Sequence, residues 1–143
     1  MDKITIKHLA GMDFRANINE HGQEIILDGT IKPLLLVALG GCTAMDCASL
    51  IRKKRVDVAE FEVKVEAKLS SERPYIYTTF RVIYCFRTHD IPTKQTLEKL
   101  HRIVEMSQER YCSVAAMLRK VAPVCYCILV NDQRLERCVC RSF

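Results

Sequence analysis

The chain has 143 residues, enough for one folded domain with a substantial core. Its composition, with 49% hydrophobic and 27% charged residues, is ordinary for a globular protein. The net charge of +5 arises from Lys and Arg spread along most of the chain, which argues against the concentrated basic surface of a nucleic-acid-binding protein.

The N-terminal part reads as short strands followed by a long apolar helix. Ile4 and Ile6 alternate with polar residues, residues 13–19 form a second extended segment, and the turn EHGQ with Gly22 leads into the run EIILD. The helix is predicted over residues 32–55, with Pro33 in its first turn and the basic run RKKR at its C-terminal end.

The apolar helix also predicts how the chain assembles. Residues 34–51 have nearly the length of a membrane span, but Asp46 would cost about 3 kcal/mol in a bilayer. The adjacent Gly40 and Gly41 make a span less favourable still, so we expect a helix buried within protein and no membrane partner. Because one small sheet covers only one side of such a helix, we predict an intertwined homodimer in which a second copy covers the rest.

The remainder of the chain predicts a hairpin, two helices and a second hairpin. Two runs of alternating apolar residues form the first hairpin; they are Phe61, Val63, Val65, Ala67 and Leu69, then Thr78, Phe80, Val82, Tyr84 and Phe86. A helix is predicted to start at Thr93 as N-cap, with Leu97, Leu100 and Val104 on its apolar side. A second helix, CSVAAMLRKV, has Val114, Met117, Leu118 and Val121 spaced for burial. This order predicts an α+β fold, with antiparallel sheets around a buried central helix, in a single domain over residues 1–143.

Eight cysteines are many for a chain of this length. The N-terminal sequence MDKITIKHLAG has no apolar signal-peptide core, so we expect the reducing cytoplasm, where cysteines are thiols, metal ligands or redox groups. Cys42 follows two glycines whose missing side chains would open an approach to its sulfur; the alternative is a small buried helix residue. Cys112 stands at a helix start, where the helix dipole is expected to lower its pKa; the alternative is no chemical role.

The other six cysteines favour structural interpretations. Cys47 lies on a different helix face from Cys42, and Cys85 lies on the opposite strand face from Tyr84. A turn at Asp132-Gln133 would bring four thiols together, namely Cys127 opposite Cys138 and Cys125 opposite Cys140. Tetrathiolate zinc and cross-strand disulfides therefore stay open beside the structural interpretation.

Two cysteine motifs, LLLVALGGCTAMD and ERYCSVAAML, lie seventy residues apart with the long hairpin between them. In this order they resemble the OsmC/Ohr family, and the resemblance covers about residues 12–130. It implies an intertwined α+β homodimer with two sites at the subunit interface, and no cofactor. It also implies that Cys42 reduces an organic hydroperoxide and becomes a sulfenic acid, and that Cys112 resolves this acid to a disulfide. A dithiol such as a lipoyl group then restores the thiols, while Gly40 and Gly41 keep one wall of the pocket low.

The chain departs from the family pattern around the reactive thiolate. Pro33 stands where family members commonly have a glutamate, and the preceding loop is shortened to DGTIKP. The usual arginine has no secure counterpart, since Arg15 lies in the right region but reads as an exposed strand residue. Glu109 and Arg110 are further candidates for charge at the site. Two other functions stay open: a non-catalytic OsmC-like protein that binds an apolar ligand or senses redox state, and a metal-binding protein based on the C-terminal cysteines.

Overall fold

A computed structural model describes residues 2–18, 22–29 and 31–135. The chain divides after Leu35 into two compact units, here called the N-terminal unit and the C-terminal unit. Both sheets and all helices belong to an α+β fold, as the sequence predicts.

The N-terminal unit contains a three-stranded antiparallel sheet. Its strands, in the order β1-β2-β3, are β1 (Ile4–Ala10), β2 (Asp13–Ile18) and β3 (Gln23–Leu27). Ile18 of β2 pairs with both Ile4 and Gln23, which confirms the predicted extended segments. Glu20 and His21 of the predicted turn lie outside the described residues, while Gly22 has the positive φ of 73° that favours glycine.

Apolar side chains of this sheet remain exposed in the single chain. Every residue of β1 is exposed, including Ile4 at 54% and Ile6 at 53%, and Ile26 of β3 is 57% exposed. Ala16 in the central strand is buried. Exposed apolar side chains gathered on one sheet are typical of an interaction surface.

The long helix α1 (Leu34–Lys54) matches the predicted apolar helix. One face of it is buried, through Leu39, Thr43, Cys47 and Leu50, a spacing that places all four on one side. Other apolar side chains of α1 are exposed, including Val37 at 65% and Met45 at 75%, so a single chain does not bury the helix on all sides. By length and composition alone α1 is also able to cross a membrane, a criterion that the core helix of a globular protein meets as well.

The C-terminal unit contains a four-stranded sheet, in the order β4-β5-β6-β7. Its strands are β4 (Glu60–Leu69), β5 (Tyr77–Arg87), β6 (Val124–Val130) and β7 (Gln133–Arg134). The predicted hairpin of β4 and β5 is confirmed, with Val65 opposite Val82.

Two details of this sheet differ from the predictions. Strands β5 and β6 are parallel, because the helices between them form a crossover long enough to return the chain to the starting edge. The prediction of wholly antiparallel sheets is therefore wrong. The turn before β7 lies at Asn131-Asp132, one residue earlier than predicted, since both residues adopt the positive φ that a two-residue hairpin turn requires.

Three helical segments connect β5 to β6. Helix α2 (Lys94–Met106) starts as predicted at Thr93, whose hydroxyl accepts a hydrogen bond from the backbone N–H of Thr96 at 3.1 Å. A π-helical segment, Ser107–Tyr111, continues α2, and the short helix α3 (Ser113–Leu118) follows. Met117 and Val121 are 59% and 80% exposed, so their predicted burial is wrong. Helix α3 ends after six residues, and Ala115 and Ala122 provide the buried positions instead.

The core of the C-terminal unit lies between the helices and one face of the four-stranded sheet. Alternate residues of β5 supply its aromatic centre, with Phe80, Tyr84 and Phe86 at most 1% exposed. Leu39 and Cys47 of α1 pack into the same core, and so do Leu100, Ile103 and Val104 of α2 and Ala115 of α3. The buried face of α1 and the start of α3 are thus held in one packed cluster.

Candidate active site

Cys42 and Cys112 come together in the C-terminal unit, although seventy residues separate them in sequence. The two sulfur atoms and a carboxylate oxygen of Asp46 all lie within 4.8 Å of one another. Helix α1 presents Cys42 and Asp46 from the same face, one turn apart, and Cys112 meets them from the start of α3. Both cysteines are free thiols, so the structure shows the reduced pair.

The two thiols differ in access to solvent. Cys42 is partly buried, whereas Cys112 is only 2% exposed. Cys112 is the N-cap of α3, and its sulfur accepts a hydrogen bond from the backbone N–H of Ala115 at 3.4 Å. Ser113 is the first helical residue.

The environment of Cys112 favours the neutral thiol. Burial raises its pKa to about 11, because the dry surroundings disfavour the thiolate. The hydrogen bond from Ala115 lowers the pKa by less than burial raises it, and Cys42 and Asp46 raise it further. The expectation that the helix start lowers the pKa of Cys112 is therefore wrong, since desolvation outweighs the helix N–H groups.

A buried chain of polar side chains runs from Asp46 across the core to Arg119. The hydroxyl of Ser107 donates to Asp46 at 2.9 Å and lies 2.7 Å from the hydroxyl of Thr43. The Thr43 hydroxyl in turn contacts the hydroxyl of Tyr84. At the far end, the Gln108 amide nitrogen donates to the Tyr84 oxygen at 2.6 Å, and Arg119 donates to the Gln108 side-chain oxygen at 2.5 Å.

The groups at the two ends of this chain determine which side chain donates in each hydrogen bond. Ser107 has one hydroxyl proton and gives it to Asp46, so Thr43 must donate to Ser107. Tyr84 must then donate to Thr43, and it accepts from Gln108 in agreement. Burial raises the pKa of Tyr84 well above its ordinary value, which keeps the phenol protonated as a donor.

The sequence analysis missed the members of this chain other than Asp46. Thr43 occupies a buried position of α1, four residues before Cys47, where an apolar side chain is expected. Ser107 and Gln108 follow the apolar positions Ile103 and Val104 of α2 and are buried as well. The sequence does contain a signal for this chain, namely polar residues at helix positions that face the core. Buried hydroxyls and amides need hydrogen-bond partners, so such residues predict a buried network.

The two glycines before Cys42 have different environments. A Cβ atom on Gly40 would lie 2.9 Å from Cγ2 of Val65, so Gly40 allows α1 to pack closely against β4. A Cβ atom on Gly41 would have no neighbouring atom within 4 Å among the described residues. Gly40 thus has a packing role, and the interpretation of both glycines as a low pocket wall stays a prediction.

The charged candidates from the sequence have exposed or partly exposed side chains. Arg15 lies in the N-terminal unit, where it faces Glu24 at 3.7 Å with nearly half of its side chain exposed. Glu109 and Arg110 are exposed on the π-helical segment. The structure brings the carboxylate of Asp46, supported by Ser107, to the two sulfurs.

The remaining described cysteines do not belong to this set of three groups, although Cys112 and Asp46 are near enough to Cys47 to raise its pKa. Cys47 is fully buried, and burial raises its pKa to about 12, while Cys85 lies on the outer face of β5 as predicted. Cys125 donates to the backbone carbonyl of Phe80, and Cys127 accepts from Arg134. Cys138 and Cys140, which the predicted four-thiol cluster needs, lie outside the described residues.

Comparisons with known proteins agree with this architecture. A family model for OsmC-like proteins matches residues 32–126. Protein YhfA of Escherichia coli strain K12 is 30% identical over 126 residues, covering 83% of this chain and 90% of YhfA.

Two solved structures illustrate the range of the fold. A hypothetical protein from Aquifex aeolicus VF5 matches with a TM-score of 0.76 at 24% identity, over 92% of this chain and 96% of that one. The organic hydroperoxide resistance protein OhrB of Bacillus subtilis matches with a TM-score of 0.56 at 12% identity, over 92% and 98% of the two chains. At these identities the structures establish the fold alone. The family match and the relation to YhfA show that the chain belongs to the OsmC-like family.

Proposed function

We propose that this protein reduces organic hydroperoxides through a dithiol–disulfide cycle of Cys42 and Cys112. The observation that carries the proposal is the meeting of the two sulfurs within 4.8 Å in a packed unit of the fold. A disulfide requires its sulfurs to approach to about 2.05 Å, so side-chain rotation and a small backbone adjustment suffice from such a distance.

The difference in burial between the two cysteines supports different roles for them. A hydroperoxide carries an organic group, so it reacts at the partly buried Cys42 rather than at Cys112, which is 2% exposed. The Cys42 thiolate attacks the terminal peroxide oxygen, the O–O bond breaks, and the alkoxide leaves and takes up a proton. The Cys42 sulfenic acid then condenses with the Cys112 thiol to give the disulfide and one water.

The same cycle supports a proposal for the reductant and for the cellular compartment. Two electrons and two protons must return to the sulfurs after each turnover, and a small dithiol of the lipoyl type supplies both while forming its own ring disulfide. Such a reductant is maintained in a reducing compartment, so we place the protein in the cytoplasm.

A homodimer is the proposed assembly. Uncovered apolar side chains lie on both the N-terminal sheet and α1, among them Ile4, Ile26, Val37 and Met45. Burial of such surface stabilises association by about 25 cal/mol per Å². Light scattering coupled to size exclusion should give twice the chain mass of 16.4 kDa, and a monomer at micromolar concentration would contradict this assembly.

The test of the cycle is a single-turnover oxidation. Fully reduced protein is treated with one equivalent of cumene hydroperoxide, and disulfides are mapped by peptide mass spectrometry. We expect a Cys42–Cys112 link that a dithiol reverses, no link in Cys42→Ser or Cys112→Ser, and an unchanged link in the matched control Cys47→Ser. Equal loss in all three variants would show damaged packing, and no link in the native protein would reject the cycle.

One observation favours a second candidate, a non-catalytic pocket protein. Asp46 places a carboxylate beside the sulfurs, and a carboxylate disfavours the thiolate that attacks peroxide. This candidate predicts little turnover, together with a saturable rise in melting temperature when an apolar ligand is added.

A further inference from the structure

The carboxylate beside the two thiols completes a set of three ligand groups. Atoms of Cys42, Asp46 and Cys112 lie within 4.8 Å of one another, and each side chain is at least partly buried. Peroxide reduction requires the two sulfurs and gives Asp46 no necessary role. The placement of a carboxylate at a buried thiol pair therefore calls for a separate explanation.

The distances suit a tetrahedral metal ion. Zinc binds thiolate sulfur at about 2.3 Å and carboxylate oxygen at about 2.0–2.2 Å. Two sulfurs on one zinc ion are therefore roughly 3.8 Å apart, so the pair of sulfurs needs to close by at most about 1 Å. Rotation of the side chains on α1 and at the start of α3 provides a movement of this size.

Charge explains why a cation suits this place. If both thiols and the carboxylate are deprotonated, three negative charges share a small and mostly buried space, and they repel one another. A divalent cation reduces the net charge of the set from −3 to −1, and the two thiol protons leave to solvent. Thiolate ligands select soft or borderline ions such as zinc over magnesium and calcium.

The carboxylate has the support that metal ligands usually have. Ser107 donates a hydrogen bond to one oxygen of Asp46, and Thr43 fixes Ser107 in turn. Such outer hydrogen bonds orient ligating carboxylates. The rotamer of Asp46 is thus set before any ion arrives.

We propose that Cys42, Cys112 and Asp46 bind one zinc-type divalent cation per chain in the reduced protein, with a fourth position open to water. An organic hydroperoxide, which takes up two electrons and two protons and becomes an alcohol and water, converts both thiolates to the Cys42–Cys112 disulfide and so releases the ion; this release, unlike the binding, rests on the proposed function. This inference goes beyond peroxide reduction, because binding needs the deprotonated ligands and no oxidant.

Cobalt is the probe, since Co²⁺ takes zinc sites and its thiolate charge-transfer absorption reports sulfur ligands directly. Reduced, metal-free protein is titrated with Co²⁺ and then with Zn²⁺, which should displace it. We expect one Co²⁺ per chain with thiolate charge-transfer bands, lost in Cys42→Ser and Cys112→Ser. We expect binding about 10-fold weaker in Ser107→Ala, which removes only an outer hydrogen bond, and a larger loss in Asp46→Asn.

Matched control variants distinguish metal binding at Cys42, Asp46 and Cys112 from binding at other cysteines. Cys47→Ser and Cys85→Ser should bind as the native protein does, and protein carrying the Cys42–Cys112 disulfide should not bind. Absence of charge-transfer bands in the reduced native protein would overturn the proposal. This outcome does not depend on whether the variants fold. Bands that survive in Cys42→Ser but disappear in Cys125→Ser would place the metal at the C-terminal cysteines and also overturn it.

The two proposals fail separately. A peroxide-induced disulfide in a protein that binds no Co²⁺ leaves the redox cycle standing and rejects the metal site. Cobalt binding that needs Cys42, Cys112 and Asp46, in a protein that forms no disulfide with peroxide, supports the metal site and rejects the redox cycle.

Discussion

The adjacent glycines of α1 should respond in opposite ways to the same substitution. Alanine is favoured over glycine in a helix interior by about 1 kcal/mol. A methyl group on Gly41 meets no described atom of its own chain, so Gly41→Ala should stabilise the protein by up to that amount, provided that the second copy proposed above leaves this position open. Gly40→Ala gains the same helix propensity but forces its Cβ to within 2.9 Å of Val65.

The contact at Gly40 decides the net effect. The Val65 side chain is β-branched and stiff at χ1, so it moves aside less easily than a long flexible side chain. Forcing a methyl group into a packed site costs about 1–3 kcal/mol. Gly40→Ala should therefore be neutral or up to about 2 kcal/mol destabilising, and the two variants should differ by about 1–3 kcal/mol.

Urea unfolding at one protein concentration measures both free energies of unfolding. Val65→Ala removes the methyl groups that Gly40→Ala would meet, so Gly40→Ala in that background should stabilise about as much as Gly41→Ala does. If Gly40→Ala stabilises the protein with Val65 intact, then α1 and β4 do not pack as closely as the structure shows, and the reasoning is refuted.

Three further predictions concern the buried polar chain and the thiols. Tyr84→Phe should lower the free energy of unfolding by about 1–3 kcal/mol, because Gln108 loses its acceptor; a urea midpoint unchanged from native would contradict this. Asp46→Asn should lower the pKa of Cys112, since it removes a negative charge that raises it, while burial keeps the pKa above the ordinary value. The ultraviolet absorbance of the thiolate across pH, taken as the difference between proteins with and without Cys112→Ser, measures that shift, and a midpoint that stays or rises would refute it. Cys47, fully buried with a pKa of about 12, should stay unlabelled by iodoacetamide at pH 8 under native conditions, unlike Cys85; equal labelling would mean that the core opens.

Local patterns determined the features that the sequence predicts well. The alternation in β4 and β5 predicts a hairpin because each strand has one face on the core and one in water. The N-cap at Thr93 is a local hydrogen bond within one turn of chain, so it too is readable from neighbouring residues. The meeting of Cys42 with Cys112 entered through the motif pair, since no local pattern in either segment determines it.

Tertiary packing determined what the sequence analysis missed. The parallel pairing of β5 with β6 depends on where the crossover helices return the chain, and the strand sequences do not encode it. The dipole at the start of α3 is visible from sequence, but the burial that overrides it for Cys112 appears only in the folded unit. The turn at Asn131-Asp132 is an exception, because it depends on local residues. Asn and Asp readily adopt positive φ, so the sequence itself indicates the turn at these two positions.

The one-way order of donors from Arg119 to Asp46 has a consequence for control at a distance. A guanidinium has no acceptor atom, so the row of hydroxyls cannot reverse unless the Gln108 amide turns away from Arg119. The Asp46 carboxylate has no proton to give, so Ser107 keeps donating to it whatever residue stands at position 119. A change at Arg119 would therefore reach Gln108 and Tyr84 and would leave the hydrogen bond beside the thiols in place.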